Sequence, residues 1–225
     1  MSKMAIMVDG GFFQRRANKL WGNCASGAER AQELMVYCRT HLKHHEERAD
    51  LYRIFYYDCP PSSSTVYHPY SKKQIDLKKT SLYKWMSEFH AELMKSRKVA
   101  LRFGRLSDST AAYTLPSNTI KKLCNGTISW NDLKEENFVL NVTQKGVDMR
   151  IGVDISSIAY KKQADQIVLI AGDSDFVPAA KVARREGIDF ILDQMHQRIN
   201  QDLQEHIDGL RSKAKPNLDA RGVIK

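Results

Sequence analysis

Two aspartates one residue apart, Asp173 and Asp175, follow the apolar run IVLIA and a glycine in the stretch IAGDSDF. A third, Asp9, directly follows another short apolar run, MAIMV, ahead of Gly10 and Gly11. A fourth, Asp148, comes just after a glycine in QKGVDMRIGVD. Carboxylates gathered in one crevice repel each other unless a divalent cation lies between them. A few hard oxygen donors, with coordination positions left for water, suit Mg²⁺ or Mn²⁺. Such a site can bridge phosphate oxygens, activate a water and stabilise the leaving oxygen, so the chemistry indicated is phosphodiester hydrolysis. Taken singly each residue has a plainer reading: Asp9 as a turn or cap, Asp173 as a helix cap, Asp175 as a dipole partner. Taken together, strand-end carboxylates plus a Gly-preceded Asp favour the crevice.

The elements that must position these groups follow from hydrophobic period. Short apolar runs alternate with helical patterns, as in a parallel α/β sheet with crossover helices. The spacing predicts strands at residues 4–8, 51–58, 99–106, 166–171 and 189–192, with a further short strand at 137–143. Helices are predicted over 28–47, 74–97, 147–162 and 177–186, and a first helix after Asp9. Residues 107–136 lack a clean period and are expected to be an irregular insertion or lid. Residues 1–211 read as one domain and 212–225 as a flexible tail. If the five strands take the common order 3-2-1-4-5, Asp9 and the Asp173–Asp175 pair meet beyond the carboxyl ends of neighbouring strands. Asp148, in a first helical turn, gains from the positive end of the helix dipole. Asp154 lies about 9 Å further along that helix and on a different face, which makes it the weaker candidate.

Composition narrows the function classes. A formal net charge of +9 over 225 residues favours polyanionic partners. The cysteines Cys24, Cys38, Cys59 and Cys124 have no Cys-x-x-Cys spacing and read as reduced, buried thiols. No run approaches the roughly 20 apolar residues of a membrane span, and no signal peptide is evident, so a cytoplasmic location is expected. In HLKHHEE, His41 and His45 sit one turn apart, but a charged, solvated helix face is preferred to a metal site there.

MVDGGF, QKGVDMRIGVD and IAGDSDFVPAAKVARREG, in this order, resemble the NYN domain of the PIN-like metal-dependent nucleases, in particular its LabA-like bacterial branch. RIFYYDCPP and LRFGRL fit the same pattern, and the resemblance runs from Met4 to about Leu192. It implies a Rossmann-like PIN fold of strand order 3-2-1-4-5, a Mg²⁺ or Mn²⁺ cofactor and RNA as substrate. Carried over by motif position, Asp9, Asp148, Asp173 and Asp175 are the expected metal-binding and catalytic acids. Ser174 is expected to orient a carboxylate or contact phosphate. The third position after the first Asp, often Asn in the family, is Phe12 here.

Cations near the expected crevice supply phosphate contacts: Lys145 before the Gly146 turn, Arg15 with Arg16 in the first helix, and Lys181 with Arg185 on one helix face, Arg184 being displaced. KKQIDLKKTSLYKW adds a basic, aromatic-bearing segment suited to stacking unpaired bases, with Trp85 expected in the core. The leading reading is a metal-dependent endoribonuclease. The alternatives are a catalytically weak RNA- or protein-binding module, which Phe12 favours, and a small-molecule phosphohydrolase, which the lack of a Walker-type loop disfavours for NTPs. A homo-oligomer or a protein partner is compatible with all three.

Overall fold

The structure, a computed structural model, describes residues 2–24, 26–44 and 47–214, the side chains of His44, Glu47, Asp108 and Ser109 excepted. A six-stranded parallel sheet runs through it. In chain order its strands are β1 (Lys3–Asp9), β4 (Asp50–Asp58), β7 (Val99–Phe103), β10 (Gln166–Ile170), β11 (Asp189–Asp193) and β12 (Gly209–Leu210). The two-residue strands β2 (Lys43–His44) and β3 (Glu47–Arg48) form a small hairpin before β4. The order across the sheet is β7-β4-β1-β10-β11-β12, all parallel. This is the expected 3-2-1-4-5 arrangement with a sixth short strand added at the edge.

The inner strands are buried on both faces, so they read as continuous apolar runs. Their period of two assigns the sides. Met4, Ile6 and Val8 of β1 face one core together with Val168 and Ile170. That core is closed by α1 (Gly10–Trp21), α2 (Gly27–Thr40) and α3 (Ser81–Lys95). Ala5, Met7, Ile167 and Leu169 face the opposite core, closed by α5 (Val147–Tyr160) and α6 (Val177–Arg185). Crossovers lie on one face for β1, β4 and β7 and on the other for β10 and β11. The change of side falls between β1 and β10, which is where open α/β sheets bind ligands.

Several boundaries differ from the sequence reading. The helix expected over 28–47 stops at Thr40, and the hairpin β2–β3 follows. The one expected over 74–97 starts at Ser81, because Thr80 caps it by accepting the Tyr83 N–H. Gln74–Asp76 instead belong to a hairpin, β5 (Thr65–His68) with β6 (Lys73–Asp76). The apolar residues at 75 and 77 fit a helical period as well as a strand period, so spacing alone could not separate the two. The third strand leaves the sheet after Phe103. Arg105 opens β8 (Arg105–Thr114), which pairs antiparallel with β9 (Val139–Lys145) in a long ribbon.

The inserted segment is therefore more regular than its sequence suggests: β8, a helix α4 (Ser117–Cys124), two single 3-10 turns and β9. One face of its ribbon is exposed, and on the other Leu106, Leu140 and Val142 are only partly covered, which weakens the hydrophobic period. The ribbon is buttressed by the β5–β6 hairpin, with His68 packed on Tyr113 and Phe138. A short helix α7 (Gln201–Glu205) precedes β12. The expected tail is ordered through the buried Ala214, and residues 215–225 lie outside the described ones. Cys38 and Cys59 are buried as expected, whereas Cys24 is half-buried and Cys124 exposed; none of the four is bridged. Among the described residues no helix is long and apolar enough to cross a membrane.

Candidate active site

Four neighbouring strands each deliver an aspartate at or just beyond their carboxyl end: Asp58 from β4, Asp9 from β1, Asp173 from β10 and Asp193 from β11. Their hydrogen bonds divide them into two kinds. Asp193 is fully buried. Its Oδ1 accepts from the Met195 N–H at 2.8 Å, and its Oδ2 meets the Tyr37 hydroxyl and His41 Nε2. Asp58 is also buried. Its Oδ1 accepts from the Cys59 N–H at 2.7 Å, and its Oδ2 lies 3.2 Å from His90 Nε2 and 3.4 Å from the Tyr56 hydroxyl. Both carboxylates are committed to protein donors, as buried charges must be.

Among the described residues, Asp9 and Asp173 keep one oxygen each without a protein donor. Asp9 caps α1 with Oδ1, accepting the Phe12 N–H at 3.0 Å. Asp173 accepts the Asp175 N–H at 3.0 Å, closing the turn that leads into α6. The plain capping readings of both residues are thus correct, and each still leaves an oxygen for a ligand. Asp148 stands in the first turn of α5, after Gly146, which caps the helix with φ of 79°.

Electrostatics ties the acids together. Burial pushes the Asp9 carboxyl up to about 6; the Phe12 N–H and Arg15 oppose that rise, while Asp148 and Asp58 add to it. Asp148 is likewise raised, by partial burial first and then by the charges of Asp173 and Asp175. Asp9, Asp148, Asp173 and Asp175 therefore share one field, which a cation would relieve. Among the described residues no three His, Cys, Asp or Glu side chains stand close enough to grip one ion. The all-oxygen donor set nonetheless fits the habit of Mg²⁺, which is held through one or two carboxylates and completed by water and substrate phosphate. Beside Asp9, Gly11 borders a small niche: a methyl there would lie in ordinary contact, 3.4–3.9 Å, with Arg15 Nη1, Asp9 Oδ1 and Gln144 Oε1.

The expected phosphate contacts separate by position. Arg15 folds back to this niche, and Lys145 is exposed at the end of β9 beside the Gly146 turn. Ser174 lies in the turn, its Oγ 3.4 Å from Asn200 Nδ2. Lys181 and Arg185 are exposed on α6, but the helix leads away from its start at Val177. At 1.5 Å per residue they sit about 6 Å and 12 Å along it, so Arg185 is remote from the acids. Arg184 bonds Asp208 instead. Arg16 is buried and donates to the Met195 carbonyl, which makes it a tether and not a phosphate contact.

Asp154 is taken by Tyr57 and Arg102, at 2.9 and 3.0 Å, in agreement with its lower rank. His41 is no exposed metal ligand or solvated residue but a buried partner of Asp193, and His45 lies outside the described residues. Phe12 is buried, and its ring occupies the space over Gly172: a Cβ on that glycine would come within 2.6 Å of Cε2. Residue 172 is glycine because the aromatic ring needs that space. Sequence reasoning missed Asp58 and Gln144. The first repeats the strand-end pattern of Asp9 in RIFYYD, while the second carries no local signal, since a ribbon fold is what brings it to Gly11.

Comparison with known proteins matches residues 109–210 to the NYN domain family. No curated protein matches the chain. A crystal structure of a protein of unknown function from Vibrio parahaemolyticus is similar over 94% of this chain and 93% of that chain, with 14% identity and a TM-score of 0.47.

Proposed function

We propose that the chain, whose residues 109–210 match the NYN domain family of PIN-like nucleases, is a metal-dependent ribonuclease whose centre is the crevice between β1 and β10. The observation that carries this reading is the contrast among the four strand-end aspartates: Asp58 and Asp193 are saturated by protein donors, Asp9 and Asp173 are not.

In this reading Asp9 and Asp173 hold Mg²⁺ or Mn²⁺, with Asp148 and Asp175 beside them. The bound cation would neutralise phosphate oxygens and acidify a water. Asp148, whose hold on protons is raised by partial burial and then by its acidic neighbours, accepts the proton of the attacking water. Arg15 and Lys145 meet the non-bridging phosphate oxygens and hold the strand in line for attack. Ser174 and Gln144 orient the groups next to them. The test is incubation of purified protein with end-labelled RNA in Mg²⁺, Mn²⁺ or EDTA, followed by analysis of the new ends. Metal-dependent products with 5′-phosphate and 3′-hydroxyl ends are expected, and cleavage that persists in EDTA contradicts the proposal.

A second reading has one observation in its favour. The buried Phe12 ring puts no polar group where an amide would hold a carboxylate or water. In that case the crevice retains RNA and turns it over slowly. RNA retention at saturating Mn²⁺ without product would select it.

A further inference from the structure

A cleft of about 280 Å³ opens beside Asp58, between the root of the β8–β9 ribbon and the start of α3. Its walls are apolar, with Leu77, Tyr83 and Met86 on one side and Leu106 and Val142 on the other. Gln144 closes one end. Leu106 and Gln144 are directly paired across the ribbon, so both side chains project from the same face. Gln144 is also the residue that reaches the niche at Gly11, beside Asp9. Gln144 thus borders both the cleft and the niche beside Asp9.

We propose that this cleft receives an unpaired nucleobase of the strand whose phosphate occupies the crevice, stacked on Tyr83 and met at its edge by Gln144. The volume sits at the lower end of small-ligand sites, about 300 Å³, which suits one ring system rather than a larger molecule. Tyr83 is half-buried, whereas Trp85 two positions on is stacked on Phe89 in the core, 5.6 Å between centroids. The helix therefore offers one aromatic to the cleft and spends the other on packing. Charge fits a polyanion: residues 71–84 hold five lysines, Lys72, Lys73, Lys78, Lys79 and Lys84, against one acid, Asp76. One aromatic face, an amide at the rim that also borders the niche beside Asp9, and a basic segment adjoining the cleft are features of single-strand recognition.

The inference rests on the ribonuclease reading, and its test is arranged to fail separately. Binding of a fluorescent 12-nucleotide single-stranded RNA is measured in EDTA for wild type, Tyr83→Ala and Tyr83→Phe. The same strand annealed to its complement, and a strand of abasic nucleotides, serve as further probes. Loss of a stacking contact of about 1–3 kcal/mol corresponds to roughly 5- to 150-fold weaker binding for Tyr83→Ala. Tyr83→Phe keeps the ring and should stay within about threefold of wild type, and the duplex and abasic probes should not respond to the alanine change. Equal binding of single-stranded RNA by wild type and Tyr83→Ala overturns the proposal, as does an equal loss with abasic strands.

Because the ring also packs, photocrosslinking of a 4-thiouridine strand to wild type provides a second measurement. Adducts on residues 82–86 are expected, and adducts confined to other segments contradict it. The binding assay contains no divalent metal, so a protein that never cleaves RNA leaves its result intact. Metal-dependent cleavage with Tyr83-independent binding would remove the cleft and keep the active site.

Discussion

Asp9 carries opposing demands at one position. It caps α1, an ordinary structural task, while burial and the nearby Asp148 and Asp58 charges make its ionised form costly. With a folded value of about 6 against an ordinary 3.8, the folded chain binds this proton more tightly than the unfolded chain does. Stability of the metal-free protein should therefore fall as pH rises from about 4 to 6, and the full loss, at most about 3 kcal/mol, should be present at pH 7. Asn is as good a cap as Asp. Asp9→Asn should then flatten this pH dependence and exceed wild type in stability at pH 7 when urea unfolding is followed in EDTA. Added Mn²⁺ should raise wild-type stability and do little for the variant. A wild-type stability that climbs through this window would contradict the assignment.

At the scale of elements, the β1–α1 junction and the β10–α6 turn are packed against each other through Phe12 and Gly172. Gly172→Ala would set a methyl 2.6 Å from the Phe12 ring and push the Asp173–Asp175 turn away from Asp9. The expected cost is about 1–3 kcal/mol, with a loss of cleavage larger than the loss of folded protein. A smaller apolar residue at position 12 should recover part of both, and the double-mutant cycle in urea measures that coupling. Additive effects of the two changes would show that the ring and the glycine are not coupled.

The five principal strands and the aspartates Asp9, Asp173 and Asp175 were legible because buried strands announce themselves as apolar runs and their ends as turns. Asp148 was legible from its glycine-preceded helix start. What was not legible came from pairing between distant segments. The ribbon that carries Gln144 mixes partly covered Leu106, Leu140 and Val142 with exposed polar residues and so has only a weak hydrophobic period, and β5–β6 imitates the start of a helix. Arg16 read as a surface cation because only the fold brings the Met195 carbonyl to it.

For the molecule as a whole, nine excess positive charges over 225 residues favour a polyanion without naming it. The structure sorts the cations. Arg15 stands beside Asp9, Lys145 is exposed three residues before Asp148, Lys72 to Lys84 belong to the basic segment that leads into α3, and Arg16, Arg102 and Arg184 are occupied by protein acceptors. Affinity for single-stranded RNA should fall steeply with salt, and each phosphate contact removed should flatten the log–log slope by about 0.7. Lys145→Ala should show that change and Arg185→Ala should not, since Arg185 sits about 12 Å down α6. Equal slopes for wild type and Lys145→Ala would place the strand elsewhere.

The central claim is that the acids between β1 and β10 perform metal-dependent hydrolysis of RNA. It is tested most directly by single-turnover cleavage of a single-stranded RNA over a Mn²⁺ titration, for wild type, Asp148→Asn and Asp173→Asn. The account predicts a saturable metal dependence abolished by EDTA, and a loss of at least about 100-fold for either variant, in the range seen when one group stabilising transition-state charge is removed. Cleavage by Asp173→Asn at the wild-type rate, or wild-type cleavage that survives EDTA, would contradict it.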